Sequence, residues 1–405
     1  MEPTVSFRFY TKVFTTFYNI AFDAPKMDTC STCDAIRAEL QVGEAANEDV
    51  SELEEKLAAH KEKGKLVQDL LRAEKTNTDE EVRTIAMDLQ QTLPCPRISA
   101  GVAYYLRKLW VYNFCIYDVT KGQGTMFVWD EVMGGRGSDE IASCLMKWLD
   151  LRQGENQEFT TLRIFCDNCA GQNKNINVIL AALRIIHSKK LFRIEFVYMV
   201  SGHSYLPCDR AFGNIEKQIS HTDVIHCTQN YLNLIKAAKS PPFEVVPMER
   251  QEFYDIKALA KFVTKRQTQT SFSKACQLVV NSSYKEGYVI KTNYEFGDSD
   301  SNMRKCRLMK TNKRYSAKLF DLSTVPLVAK YPTERLLNPR KVKDLETLSQ
   351  FLGPSSREWL LDLIQRQKVL ETAGRSMHEE DDEEVGSDSE NYILDYDDPV
   401  RVLQI

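Results

Sequence analysis

The sequence predicts an α/β fold: a mixed sheet flanked by helices, with a helical CxxC module before it and a small β-rich and helical region after it. Three observations carry this prediction. After residue 80, aromatic and β-branched runs alternate with amphipathic stretches in the order β-β-β-α-β-α-β-α. Before that point, the segment from Asp34 to Asp79 is rich in Ala, Leu, Glu and Lys, with helical spacing at Leu53, Leu57, Leu66 and Leu70. Finally, 405 residues, 43% of them hydrophobic, are enough for one large or two ordinary domains with a real core.

Taken in order, the chain opens on VSFRFYTKVFTTFYNIAF, which reads as strand or short-helix material from inside a domain, as in a fragment of a longer parent. CSTC follows, then a long helix or helical hairpin with Gly64 as its break. RTIAMDLQQTL, VAYYLRKLWVYNFCIYDV and GTMFVWDEV read as three strands, the last two joined by the turn TKGQG. GSDEIASCLMKWLDLRQ is an amphipathic helix, TTLRIFCDN a fourth strand, NINVILAALRIIHSKK a buried helix and FRIEFVYMVSG a fifth strand. Beyond Pro242, short apolar runs suggest a smaller β-rich module. Two helices parted at Gly353-Pro354 come next, then a disordered end. The expected boundaries are residues 1–80, 81–240, 241–372 and 373–405.

The net charge of -4 conceals an asymmetry. From Ser376 onward there are 11 acids and one arginine, a net of -10, which leaves the body at +6. A mildly basic body with an acidic tail suits contact with nucleic acid and a detachable competitor; a plain solvated tail is the simpler alternative. The absence of any run of about 18 apolar residues argues against a membrane span. No basic flank or apolar core of a secretory signal is visible at the start. Eleven cysteines without framework spacing read as reduced thiols in the nucleus or cytosol.

Three acids take equivalent places in the strand pattern: Asp88 on the first strand, Asp167 ending the fourth and Asp209 just after the fifth. Strand ends of an open sheet converge on one edge, where sites form. Carboxylates gathered there repel unless a cation neutralises them, and hard oxygen ligands suit Mg²⁺ or Mn²⁺. Two such ions roughly 3.5–4 Å apart would clamp the attacking and leaving oxygens of a phosphodiester. Taken singly, each acid reads better as a helix cap or turn residue; taken as a trio, the two readings stand level.

Two CxxC spacings differ in meaning. Cys166 and Cys169 flank Asp167 and read as packed thiols, since Cys166 faces away from Asp167. Cys30 and Cys33 have zinc-knuckle spacing and precede a helix that offers His60. This suggests structural Zn²⁺ with a fourth ligand elsewhere, such as Cys95. The segment from Arg304 to Lys318 holds seven basic residues and no acid, led by Arg304, Lys305 and Arg307; it suits a phosphate-tracking patch or a solvated face.

The motifs MDLQQTLP, DNCAGQNKN and GHSYLPCDRAFGNIEK, in this order of elements, resemble the ribonuclease H-like core of the cut-and-paste DDE/DDD transposases. More narrowly they resemble an uncharacterised transposon-derived family of animal genomes, as do RGSDEIASC and NPRKVKDLETL. The likeness runs from about residue 5 to about residue 365. It implies that Asp88 and Asp167 are metal ligands and that Asp209 is the third, with Glu216 of IEK as the alternative. It also places His203 where it would polarise a phosphate or water, or make a structural hydrogen bond. Asn168, Gln172, Asn173 and Lys174 would meet DNA phosphates or hold their own turn.

Three readings follow. One is a Mg²⁺- or Mn²⁺-dependent nuclease and strand transferase acting on DNA in the nucleus, as a homo-oligomer. The second is a domesticated, non-catalytic DNA- or chromatin-binding protein that keeps the fold. The third is an exonuclease with the same metal site, which would need neither the zinc module nor the terminal helices.

Overall fold

A computed structural model describes residues 7–17, 29–154, 159–262, 272, 274–292, 303–308 and 321–378. The chain divides into two compact units, residues 1–62 and 63–405, with the division inside a single helix.

The first unit contains α1 (Phe7–Phe17), α2 (Ser31–Ala45) and the opening turns of α3 (Ser51–Ala73). The expected hairpin is present, but its turn is at residues 46–50 and not at Gly64, which lies inside α3. The sequence there explains the reversal. Asn47 takes a left-handed φ of 56°, and the Asp49 carboxylate accepts the Ser51 N–H at 3.0 Å, capping α3. Cys30, Cys33 and Leu57 form the buried seam, with Ile36 and Leu40 against it.

The second unit is built on one sheet of ten strands among the described residues. They are β1 (Val82–Leu89), β2 (Leu93–Cys95), β3 (Leu109–Asp118), β4 (Gln123–Asp130), β5 (Thr161–Cys166), β6 (Arg193–Tyr198), β7 (Glu244–Pro247), β8 (Gln277–Asn281), β9 (Gly287–Lys291) and β10 (Arg304–Arg307). The order is β10-β9-β8-β6-β5-β1-β3-β4-β7, with β2 paired to β3. β1, β5 and β6 run parallel, as do β4 and β7; β1–β3, β3–β4 and the β6-β8-β9-β10 pairs are antiparallel.

Helices cover both faces. α4 (Ser138–Gly154) and α5 (Ile176–His187) pack on the side of Ile85, Met87, Phe114, Ile164 and Phe196. α6 (Pro207–Ser220), α7 (Thr228–Ala237), α8 (Pro339–Ser349) and α9 (Pro354–His378) pack on the side of Ala86, Cys115, Phe165 and Val197. Adjacent residues of each strand thus feed opposite cores, as strand alternation requires. Among the described residues, no helix is long and apolar enough to cross a membrane.

Four expectations need correction. β8, β9 and β10 are not a separate module: Leu278, Val280, Ile290 and Cys306 join the α4/α5 core, so these strands extend the common sheet. The third strand of the chain, β3, starts at Leu109; residues 98–108 form a loop with a 3₁₀ turn at Gly101–Tyr104. On α3 the buried positions are Val67 and Leu71, with Leu70 partly buried against the same core, whereas Leu66 is 46% exposed. α9 continues to His378. The acidic tail and residues 309–320 of the basic segment lie outside the described residues.

Candidate active site

The register of β1 and β5 sets the site. Their last paired residues are Met87 and Cys166, so Asp88 and Asp167 come next, on neighbouring parallel strands about 4.8 Å apart. Met87 and Cys166 enter the α4/α5 core. Alternation therefore aims both aspartates at the other face, under α6. The first turn of α6 sits there, with the Cys208 thiol 3.4 Å from the Ala86 carbonyl it donates to. Asp209 follows Cys208. One of its carboxylate oxygens accepts the Leu206 N–H at 2.6 Å and so closes the start of the helix. The cap reading of Asp209 is thus realised, with its second oxygen outside that bond.

The electrostatics connect the three acids. Asp88 is pushed up to about 8, first by burial and then by the negative charges of Asp167 and Asp209; the Leu89 N–H opposes the shift. Asp167 is raised by burial, against the hydrogen bonds from Asn173 and the Cys169 backbone. Among the described residues, no lysine or arginine forms an ion pair with Asp88 or Asp167. Glu216 is exposed and accepts from Gln90 Nε2 at 3.4 Å; the carboxylates acting on Asp88 are Asp167 and Asp209.

The turn after Asp167 shows why it is rich in amides. Asn173, fully buried, donates to Asp167 Oδ1 at 2.5 Å and fixes that carboxylate. Asn168 donates to the Met199 carbonyl at 3.0 Å, tying the end of β5 to that of β6. Asn175 caps α5 by accepting from Asn177 N–H, and donates to the Ala170 carbonyl. Lys174 is not at a DNA surface. It is 6% exposed, donates to Asn168 Oδ1 at 2.9 Å and to the Ala275 carbonyl at 2.8 Å, and lies 4.8 Å from the Tyr198 ring centroid. Burial lowers it to about 8. Its place is beneath the turn, as a brace between β5 and β8.

His203 follows β6 and packs on α3. A Cβ at Gly64 would come within 3.0 Å of His203 Cβ, and the His203 carbonyl accepts from Gln68 Nε2 at 3.1 Å. Gly64 is one helical turn beyond His60. This close approach is what a glycine at that point of α3 permits. Arg304, Lys305 and Arg307 are exposed on β10, the outer strand of the sheet. Arg307 pairs with Glu286 at 3.4 Å and Lys305 lies over Tyr284 at 5.6 Å.

In the first unit the side-chain ligand atoms of Cys30, Cys33 and His60 lie within 4.8 Å of one another and could hold a metal ion. Cys30 Sγ is 3.1 Å from His60 Nε2. Burial, then the neighbouring Cys30 thiol, raises Cys33. Cys95, the fourth ligand considered from sequence, is fully buried in the α6-side core and donates to the His226 carbonyl at 3.5 Å. Cys166 is buried as expected, while Cys169 is half-buried.

A family model described as Domain of unknown function (DUF7869) matches residues 116–294. The match begins inside β3 and includes Asp167 and Asp209, with Asp88 upstream of it. No curated protein matches the chain. No solved structure does either.

Proposed function

We propose that this chain is a metal-dependent DNA phosphodiesterase and strand transferase of the ribonuclease H-like, transposase kind, with Asp88, Asp167 and Asp209 as its metal ligands. The observation that supports the reading is the placement of these acids at the carboxyl ends of β1 and β5 and at the start of α6, near enough for Asp167 and Asp209 to raise Asp88, and, among the described residues, without a lysine or arginine paired to the first two. The strand order β6-β5-β1-β3-β4, with only β3 antiparallel to the rest, is the arrangement expected of that core.

The residue types suit a hard divalent cation. Among the described residues, however, the ligand atoms that lie within 4.8 Å of one another are those of the cysteine–histidine group and not these three carboxylates. Asp88, raised by burial and by the charges of Asp167 and Asp209, would lower its energy by sharing Mg²⁺ or Mn²⁺ with them. When bound, such ions activate a nucleophilic oxygen and neutralise the leaving one. Asn173 keeps Asp167 aimed at the edge, the Leu206 N–H holds Asp209, and Asp88 must surrender its proton. In the reaction a water oxygen attacks a phosphodiester in line; the P–O bond to the 3′-oxygen breaks and that oxygen leaves as a hydroxyl. The freed 3′-hydroxyl then attacks target DNA in the same manner.

Cys30, Cys33 and His60 would bind structural Zn²⁺ and staple the helical hairpin. A nuclear location and a homo-oligomeric state are part of the same proposal. The test is nicking of supercoiled DNA with Mg²⁺ or Mn²⁺, comparing the wild type with Asp167→Asn. Metal-dependent nicking lost in the variant is the expected result. Nicking that persists in the variant would remove these acids from the reaction. DNA binding without nicking by the wild type would leave the binding-only reading.

A further inference from the structure

The loop between β2 and β3 carries exposed aromatics that have no role in the catalytic proposal. Tyr104 and Tyr105 are 84% and 83% exposed, with ring centroids 5.1 Å apart in an edge-to-face pair. Trp110, at 36% exposure, follows as the second residue of β3. Leaving two adjacent tyrosines in water costs apolar burial without any packing return in this chain.

The charges around them are one-sided. The neighbouring acids are already neutralised: Asp344 by Arg107 at 2.7 Å, Glu131 by Lys341 at 2.6 Å and Glu346 by Lys368 at 3.2 Å. Lys341 also lies 5.4 Å from the Trp110 ring centroid, so the start of α8 and the loop form one continuous patch. Lys108, Arg340 and Lys343 have no ion-pair partner among the described residues, and the last two are exposed.

Topology puts this patch at the edge that bears the acids. β3 is antiparallel to β1, so its amino end lies at the carboxyl edge of β1. Cys115 pairs with Asp88, and Trp110 lies five residues further out along β3, roughly 17 Å at about 3.4 Å per residue.

We propose that Tyr104, Tyr105, Lys108, Arg340 and Lys343 form a platform for single-stranded DNA, on which bases stack while the cations track the phosphates. The aromatic–basic composition selects this partner over a protein: base stacking tolerates any sequence and needs a π face beside a phosphate path. The assignment deepens the nuclease proposal by giving the unpaired strand at the cleavage edge a place to lie, but binding itself requires no chemistry.

The experiment measures anisotropy of a fluorescent oligothymidylate of about 16 nucleotides in EDTA, so that cleavage is not involved. The wild type, Tyr104→Ala/Tyr105→Ala, and Lys108→Ala/Arg340→Ala/Lys343→Ala are compared, with a duplex of equal length as control. The tyrosine pair is solvent-exposed, and equal melting temperatures would verify that the variants fold. Affinity of the tyrosine variant for the single strand should fall roughly tenfold or more, while duplex affinity changes little. The basic variant should show a shallower dependence on salt. An unchanged single-strand affinity in the tyrosine variant, equal losses on single strand and duplex, or a wild type that does not bind the single strand would each overturn the platform. Failure of the nicking assay alone leaves it standing, because the binding is measured in EDTA and requires no cleavage.

Discussion

Asp88 is the residue on which the pH behaviour turns. An unfolded aspartate titrates near 4, whereas Asp88 in the folded chain is pushed up to about 8. The folded state therefore holds a proton that the unfolded chain has released. Stability from this group is complete below about pH 4 and falls as the pH climbs to about 8. Asp88→Asn should remove that decline: thermal melts in EDTA should show the variant gaining on the wild type between pH 5 and 8, as sized by the shift of Asp88. Equal pH profiles would show that Asp88 carries no perturbed proton. The same proton competes with metal, so divalent-cation affinity should rise over this range in the wild type. Asn173 is the second decisive residue. Asn173→Ala would free the Asp167 carboxylate from its donor inside a buried turn, at a cost of about 1–3 kcal/mol. Its melting temperature should fall and any nicking activity should fall further than the stability loss explains.

At the level of elements, the sheet is held by charge as well as by apolar packing. Arg163 on β5 links Glu74, which precedes β1, to Glu195 on β6; the two glutamates are 7% and 5% exposed at their side chains. Arg163→Ala would leave the buried Glu74 without its cation and Glu195 with Arg193 alone at 3.8 Å, and about 3–5 kcal/mol of destabilisation is expected in denaturant melts. A loss under 1 kcal/mol would mean that water reaches the pair. At the β9–β10 junction, a Cβ at Gly287 would lie 2.0 Å from the Cys306 carbonyl oxygen. Gly287→Ala should therefore unzip β10, detected as faster amide exchange at residues 304–307, with the core strands unaffected. These elements also show what a sequence can reveal. Five strands that shape the site, β1, β3, β4, β5 and β6, were legible because each is an alternating or wholly apolar run between turn residues. The assignment of β8 to β10 to the same sheet was not, because strand pairing across some 80 residues leaves no local mark. The outward slip of Leu66 on α3 has the same cause: which of two adjacent apolar rows faces the sheet depends on the sheet.

For the molecule as a whole, the two units pose separate questions. The edge acids could be read from sequence as the ends of apolar runs, but that the two runs are neighbours in a parallel pair is seen only in the sheet. The duties of DNCAGQNKN could not. Lys174 looks like a surface cation until Ala275, 101 residues away, covers it. The tyrosine loop was likewise hidden inside what read as one long strand. In the first unit, Cys30 and Cys33 face His60 as the spacing suggested, and zinc would take the place of the protons on the thiols. Metal analysis should find zinc in the purified wild type and none in Cys30→Ser, and chelation should loosen residues 29–62 before the sheet melts. Zinc-free wild type would end that part of the account.

The central claim is that Asp88, Asp167 and Asp209 share a divalent cation at one edge of the sheet. Titration of Mn²⁺ into the zinc-loaded protein, followed by electron paramagnetic resonance, tests it without reference to any substrate. The account expects saturable binding that strengthens as the pH rises towards 8 and disappears in both Asp88→Asn and Asp167→Asn. Mn²⁺ binding that is unchanged in those variants, or absent from the wild type at pH 8, would contradict it.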